Sequence, residues 1–315
     1  MKGERIILAG GSGFLGTLLS RYLTERGYEI TALDRHSQES KGSIKQVQWD
    51  GETLGPWAGY LNGARAVINL AGRSVNCRYN ARNRREIMNS RINSTRILGE
   101  AIAGCTSPPS VWLNSSTATI YKHSLERPMD EAGEIGATPK AKDAFSVQVA
   151  REWERAFESA QTPATRKVAL RTAMVLGAQP GTVLDVLSRL VRFGLGGKMG
   201  NGKQYISWIH ELDFCRAVEW LILHDDIRAP VNVTAPNPIP NYELMRALRK
   251  ACGKSFGLPA TRWMLEFGAF FMRTETELII KSRRAVPGRL LASGFDFRFP
   301  RLEEALAELL PKMRR

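Results

Sequence analysis

Paired cysteines are missing from this chain. Its four cysteines, Cys77, Cys105, Cys215 and Cys252, lie far apart, which argues against a disulfide framework or a zinc site and for free thiols in a reducing compartment. The four histidines, His36, His123, His210 and His224, show no metal-ligand spacing either. No apolar run approaches the roughly 18–20 residues that span a bilayer. Met1 to Glu4 are polar and lead straight into a short apolar strand, with no h-region and no cleavage site, so a cytoplasmic protein without a secretory or membrane segment is expected. Internal repeats and low-complexity tracts are also lacking.

What is present fits a globular protein: 315 residues, 43% apolar and 24% charged, enough for a large core or two ordinary domains. The net charge is +14. Its Lys and Arg residues are spread along the chain and interleaved with acids, the densest patch running from Arg78 to Arg91 through Arg82, Arg84 and Arg85. That patch reads either as a solvated helix face or as an attractor for an anionic ligand, such as a dinucleotide or a phosphorylated small molecule. Nothing beyond net charge motivates a nucleic-acid partner.

Short apolar segments alternate with amphipathic ones through the first two-thirds, the pattern of an α/β protein whose doubly wound parallel sheet is covered on both faces. Strands are expected at Arg5–Ala9, Tyr28–Asp34, Gln46–Asp50, Ala64–Leu70, Val111–Ser115, Lys167–Leu176 and Val231–Thr234. The first helix places Leu15, Leu18, Leu19, Tyr22 and Leu23 on one stripe, and Gly27 ends it. Further helices are expected at Arg82–Ala103, Ala144–Ala160, Leu184–Arg192 and Glu211–His224. After Pro236-Asn237-Pro238-Ile239-Pro240 the character turns helical and basic. The spacing therefore predicts a Rossmann-type domain over 1–240 and a small, mainly helical region over 241–315.

The first strand runs into Gly10-Gly11-Ser12-Gly13-Phe14-Leu15-Gly16. Glycines at 10, 13 and 16, with a strand before and a helix beginning inside, make a dinucleotide fingerprint. The first glycine allows the tight turn, the second lets backbone approach a pyrophosphate, and the third lets helix pack on strand. The helix N-terminus then offers N–H groups to the anion. Asp34, 18 residues past Gly16, suits ribose hydroxyls and NAD; the adjoining Arg35 suits a 2′-phosphate and NADP. The two point opposite ways, so the cofactor is read as NAD(P).

The G-x-x-G-x-x-G spacing resembles that of extended short-chain dehydrogenases, the NAD-dependent epimerase/dehydratase type. Asn69-Leu70-Ala71-Gly72, Ser115-Ser116-Thr117-Ala118-Thr119-Ile120-Tyr121, Arg171 to Gly177 and Ser207 to Asp213 fit the same pattern. Ser90-Arg91 with Ser94-Thr95, Phe193 to Gly197, Gly200 to Gln204, Val286 to Leu290 and Gly294-Phe295-Asp296-Phe297 resemble one branch of it. That branch ends in a C-terminal domain of unknown function, and some of its members carry a cell-division label. The resemblance covers nearly the whole chain. It implies that Gly10, Ser12, Gly13, Phe14, Leu15 and Gly16 hold the pyrophosphate, that Asp34 and Arg35 flank the adenosine ribose, and that Leu70, Ala71 and Gly72 line the cleft. Ser115, Ser116 and Thr117 would lie beside the nicotinamide.

The chemistry is less complete. Short-chain enzymes work with a Ser/Thr and a Tyr-x-x-x-Lys pair, the Lys lowering the Tyr pKa. Thr117 fills the first role, but Phe145 and Val149 stand where the Tyr and Lys are expected, and neither transfers a proton. Tyr121 is the substitute acid to test against a purely structural tyrosine, and His123 a base to test against an idle loop histidine. Arg91, Gln204 and His210 are the candidate substrate residues, with Trp208 read as core and Asp213 as a capping residue. Arg171 either meets a substrate anion or pairs with an acid. Two functions follow: an epimerase or oxidoreductase acting on a small, sugar-like or anionic molecule, or a dinucleotide-binding regulator without catalysis.

Overall fold

A computed structural model describes residues 3–35, 44–261 and 281–313. Seven parallel strands form the main sheet: β1 (Arg5–Ala9), β2 (Glu29–Asp34), β3 (Ile44–Gln48), β4 (Ala66–Asn69), β5 (Val111–Thr117), β6 (Arg166–Thr172) and, later in the chain, β10 (Val231–Val233). Their order is β10-β6-β5-β4-β1-β2-β3. The chain winds outward from β1 in one direction and then crosses back to β4 on its other side. The crevice beyond the strand ends at that reversal is where ligands bind in open α/β sheets. Ala9, Asn69 and Asn114 are adjacent across β1, β4 and β5, so the loops leaving these strands converge on one crest.

Side-chain alternation sorts the core to the two faces of the sheet. Ile6 and Leu8 join Leu19 and Leu23 of α1 (Phe14–Glu25) and Phe214, Val218 and Leu221 of α5 (Glu211–Leu223) on one face. Ile7, Ala9 and Val67 pack with Leu98 and Ile102 of α2 (Ala81–Ala103) and with Phe157 of α3 (Ala144–Ser159) on the other. A third core joins α4 (Val183–Arg192), α6 (Asn241–Ala251) and α8 (Leu302–Lys312) through Leu184, Val191, Leu244, Leu248, Leu306 and Leu309. A one-turn helix, α7 (Gly288–Ala292), precedes α8. Among the described residues, no helix is long and apolar enough to cross a membrane.

The strand expected over Lys167–Leu176 breaks at Ala173. Ala173 N–H still bonds Val233 O, whereas Met174 N–H bonds Ser207 O. The hydrogen-bond partner thus changes across one residue, and β7 (Met174–Leu176) leaves the main sheet to pair with β9 (Trp208–His210). β8 (Tyr205–Ile206) and β11 (Ile239–Pro240) form a second two-stranded ribbon. These strands of two or three residues are too short to show a period.

Asp213, fully buried in the first turn of α5, ties the C-terminal segment to the sheet. Its carboxylate accepts N–H bonds from Arg298 (3.0 Å) and Phe299 (2.8 Å) and pairs with Arg216 at 3.0 Å. Replacing it removes the acceptor of two part-buried N–H donors and the partner of Arg216. Asp213→Ala is expected to lower unfolding stability by about 3 kcal/mol in a urea titration and to speed amide exchange at Arg298 and Phe299. Unchanged exchange at those two amides would refute the tie.

Candidate active site

The turn after β1 is set by close approach. Gly10 takes φ 83°, a left-handed conformation open to glycine, and an added Cβ would sit 3.0 Å from the backbone of Leu70 and Ala71. At Gly16 a Cβ would fall 2.3 Å from Gly10 O, so α1 can start this close to β1 only with glycine there. Gly13 differs. Its backbone is extended, and an added Cβ would meet only Gly10 O at an ordinary 3.6 Å. Neither conformation nor protein packing demands that glycine, which leaves an outward-facing surface that something else can approach. No side chain caps α1 and no acid occupies its first turn, so its leading N–H groups and positive dipole end stay available to an anion. Phe14 reaches across to the β7 exit, where a Cβ on Gly177 would strike its ring.

Asp34, at the end of β2, is 5% exposed and turned inward. One carboxylate oxygen accepts from Ser12 N–H at 2.9 Å and Ser12 Oγ at 2.8 Å; the other is buried without a partner among the described residues. Through that one oxygen the acid clamps the glycine turn. Arg35 is exposed, and its side chain has no carboxylate partner among the described residues. It borders a cavity of about 420 Å³ lined also by Gln48, Trp49, Asp50, Thr53 and Trp57. Asp50 is committed to its own turn, where the Thr53 hydroxyl and N–H and the Glu52 N–H lower its pKa to about 2.

At the crest, Asn69 donates to Asn114 Oδ1 (2.8 Å) and accepts from Ala71 N–H (3.0 Å), which fixes the path of Leu70, Ala71 and Gly72. Ser115 and Thr117 lie on one side of β5 and are half-buried. Ser116, expected beside the nicotinamide, points the other way, because successive strand residues alternate; its hydroxyl donates to Glu154 at 2.5 Å. Thr117 Oγ1 accepts from Thr119 N–H at 3.1 Å, and its own proton has no acceptor among the described residues.

Tyr121, the candidate acid, is 2% exposed. Its hydroxyl donates to Asn232 Oδ1 (2.8 Å) and accepts from Arg171 (2.9 Å), and burial raises its pKa against the opposing Arg171 charge. The structure assigns it to the structural alternative. Arg171 resolves likewise: it holds Glu154 through two bonds of 2.9 and 2.8 Å. Burial disfavours its cation, but the Glu154 bonds and charge outweigh that and raise its pKa. His123 Nδ1 accepts from Ser282 N–H (3.0 Å), and burial lowers its pKa.

Phe145 is covered by the first turn of α2 and the residue just before its cap. Phe145 is half-buried in the first turn of α3, whose N-cap Asp143 pairs with buried Lys281 at 2.5 Å. The Tyr79 ring stands edge-on to Phe145 with centroids 5.1 Å apart, and the Arg84 guanidinium lies 4.8 Å from the Phe145 centroid. Arg91 lies over Trp153 at 5.1 Å, against Gly72, where an added Cβ would approach its Cζ to 3.2 Å. Tyr79 escaped the sequence reading because it belongs to no motif. Its one signal was its place beside Asn80, which caps α2 through Asn83 N–H. That start brings Tyr79 level with the N-terminus of α3.

Two candidate substrate residues are corrected. Gln204 is 6% exposed; its side-chain amide donates to Met199 O at 2.9 Å, and its main-chain carbonyl accepts from Asn241 N–H; it secures a loop onto α6. His210 is 1% exposed and caps α5. Its Nδ1 accepts from Leu212 N–H (3.0 Å), its Nε2 meets Glu308 at 3.1 Å, and its ring stacks on Phe299 at 3.9 Å. Both residues spend their polar atoms on the fold. Trp208 is core, as expected.

A family model described as "NAD dependent epimerase/dehydratase family" matches residues 6–234, and one described as "Domain of unknown function (DUF1731)" matches 260–309. Epimerase family protein YfhF of Bacillus subtilis is 30% identical over 306 residues, 97% of each chain. Epimerase family protein SDR39U1 of Bos taurus is 31% identical over 312 residues, covering 97% of this chain and 99% of that one. The crystal structure of human epimerase family protein SDR39U1 (isoform 2) with NADPH superposes with a TM-score of 0.84 at 28% identity, covering 98% of this chain and 99% of that one.

Burial lowers the His210 pKa, and its Nδ1 cannot take a proton while it caps α5. The unfolded chain then binds the extra proton first, so stability falls as pH drops below the ordinary histidine value of about 6.5. His210→Asn keeps a capping acceptor but cannot titrate. The stability gap between wild type and His210→Asn is expected to narrow from pH 7 to pH 5 in urea titrations; a constant gap would contradict this role.

Proposed function

Because the chain belongs to the NAD dependent epimerase/dehydratase family, we propose that it is an NADP(H)-dependent oxidoreductase or epimerase-type enzyme acting on a small carbonyl or alcohol substrate. The single observation that carries the cofactor reading is the inward turn of Asp34 onto Ser12. It draws one oxygen of the acid that would favour ribose hydroxyls onto the loop, and leaves Arg35 exposed at the same strand end. A guanidinium there suits a phosphate dianion through charge-assisted bonds. The bare face of Gly13 and the uncapped start of α1 fit the pyrophosphate. The human relative solved with NADPH supports the same choice.

When bound, the nicotinamide supplies the hydride donor or acceptor. The chain's own residues handle the proton and the orientation. Thr117 carries a hydroxyl whose proton is uncommitted at the end of β5. Tyr79 brings a phenol against Phe145, beside the ring standing where the family's tyrosine is expected. We assign these two, in place of Tyr121, to the substrate hydroxyl or carbonyl oxygen. Leu70, Ala71, Gly72 and Ser115 wall the cleft between them and the glycine turn. A second reading, a dinucleotide-binding regulator without catalysis, is favoured by Phe145 and Val149, and the assay below separates the two.

Gly13→Ala is expected to leave the melting temperature of the ligand-free protein unchanged while weakening NADPH binding about tenfold or more. Gly16→Ala should destabilise the fold itself by about 1–3 kcal/mol through overpacking. Arg35→Ala should weaken NADPH about 10- to 100-fold, the worth of charged hydrogen bonds of about 1.5–3 kcal/mol, and leave NADH unaffected. Equal losses for both cofactors would overturn the assignment of Arg35.

The catalytic reading is tested by following NADPH oxidation across a panel of aldehydes, ketones and nucleotide sugars. Turnover should fall about 10²-fold or more in Thr117→Val and Tyr79→Phe, the usual scale of a lost general acid. Tyr121→Phe should chiefly lower stability. Binding of NADPH without turnover of any panel member would favour the regulator.

A further inference from the structure

Arg91 extends from the middle of α2 into the space between Gly72 and Trp153. One guanidinium nitrogen, Nη1, gives its two protons to the carbonyls of Arg73 (3.0 Å) and Ile87 (2.9 Å). The Trp153 ring beneath it is fixed in turn, since its indole N–H bonds Thr95 Oγ1 at 3.0 Å and its side chain is 6% exposed. The guanidinium is therefore held in one orientation before any ligand arrives. Its remaining edge, Nε and Nη2, carries three N–H donors with no partner among the described residues.

Three neighbouring cations have carboxylate partners. Arg73 and Arg82 both pair with Glu86, and Arg96 pairs with Glu100. Arg91 meets no carboxylate among the described residues. Burial pulls its pKa down to about 10, against the raising influence of Tyr79 and Cys77 close by. A half-buried guanidinium left without a counter-charge carries a desolvation cost. An anion that arrives from outside and presents two oxygens to the open edge removes that cost.

We propose that Arg91 anchors an oxyanion subsite at the Gly72 rim of the cofactor cleft, where its Nε–Nη2 edge takes the carboxylate or phosphate group of a small carbonyl substrate. The inference rests on reading the adjoining crevice as the NADP(H) site, and it narrows the substrate class. The planar fork matches a carboxylate or a phosphate in a bidentate manner. Tyr79, which packs on Phe145, lies close enough to this guanidinium to act on its charge. A neutral sugar offers this edge hydroxyl acceptors but no counter-charge.

The test titrates oxamate and methyl phosphate by calorimetry at low ionic strength into wild type, Arg91→Lys and Arg91→Gln, each with and without saturating NADPH. Wild type is expected to bind at least one probe saturably. Arg91→Gln should bind it at least about tenfold more weakly, the worth of a charged bidentate contact. Arg91→Lys, a point charge without a fork, should fall between. NADPH affinity should stay within about twofold in all three. The proposal is overturned if wild type binds neither anion, if Arg91→Gln binds as tightly as wild type, or if Arg91→Gln loses NADPH affinity, which would give the guanidinium to the cofactor. Should Arg91→Gln fail to fold, the wild-type and Arg91→Lys arms decide. Failure of NADPH to bind sinks the cofactor reading alone, since the arm without cofactor still reads the anion.

Discussion

The approach of α1 to the turn after β1 governs everything built on this crest. A Cβ at Gly16 would overlap the Gly10 carbonyl at 2.3 Å, so the helix start lies against the turn as closely as backbone allows. This aims the first-turn N–H groups at the crevice where the sheet order reverses. The Asn69–Asn114 bond then holds the exit of β4 level with that turn, and β5 carries Thr117 up beside it. Tertiary packing makes one rim from three loops far apart in sequence.

Asp34 shows how the same residue serves a different purpose from the one its position suggests. An acid at the end of the second strand is an emblem of ribose recognition. Here one oxygen of the carboxylate, expected to flank the adenosine ribose, holds the backbone and hydroxyl of Ser12. Two adjacent residues that oppose each other in sequence are thereby separated in space: the acid is buried against the loop, and the guanidinium of Arg35 is exposed.

Much of the fold was legible because long, strongly periodic segments bury one face. The stripe of Leu15, Leu19 and Leu23 and the apolar run Ala66-Val67-Ile68 both sit in the sheet's core. What escaped were features set by tertiary context. The handover at Ala173 depends on where Val233 and Ser207 lie. Gln204 and His210 looked available because sequence does not reveal that Met199 O, Leu212 N–H and Glu308 use their polar atoms. Ser116 was misplaced by reading a motif as a block when strand alternation turns its middle member away. Tyr79 carried no motif at all, and only the packing of α2 on α3 brings it to Phe145.

The cofactor assignment is tested most directly by calorimetric titration of the wild-type protein with NADPH and with NADH in one buffer. Saturable binding of NADPH at least about tenfold tighter than NADH is expected, the worth of one charge-assisted phosphate contact. Equal affinity would mean that Asp34 still reaches the ribose. Absence of binding to either at millimolar concentration would contradict the reading of the glycine turn as a pyrophosphate cradle.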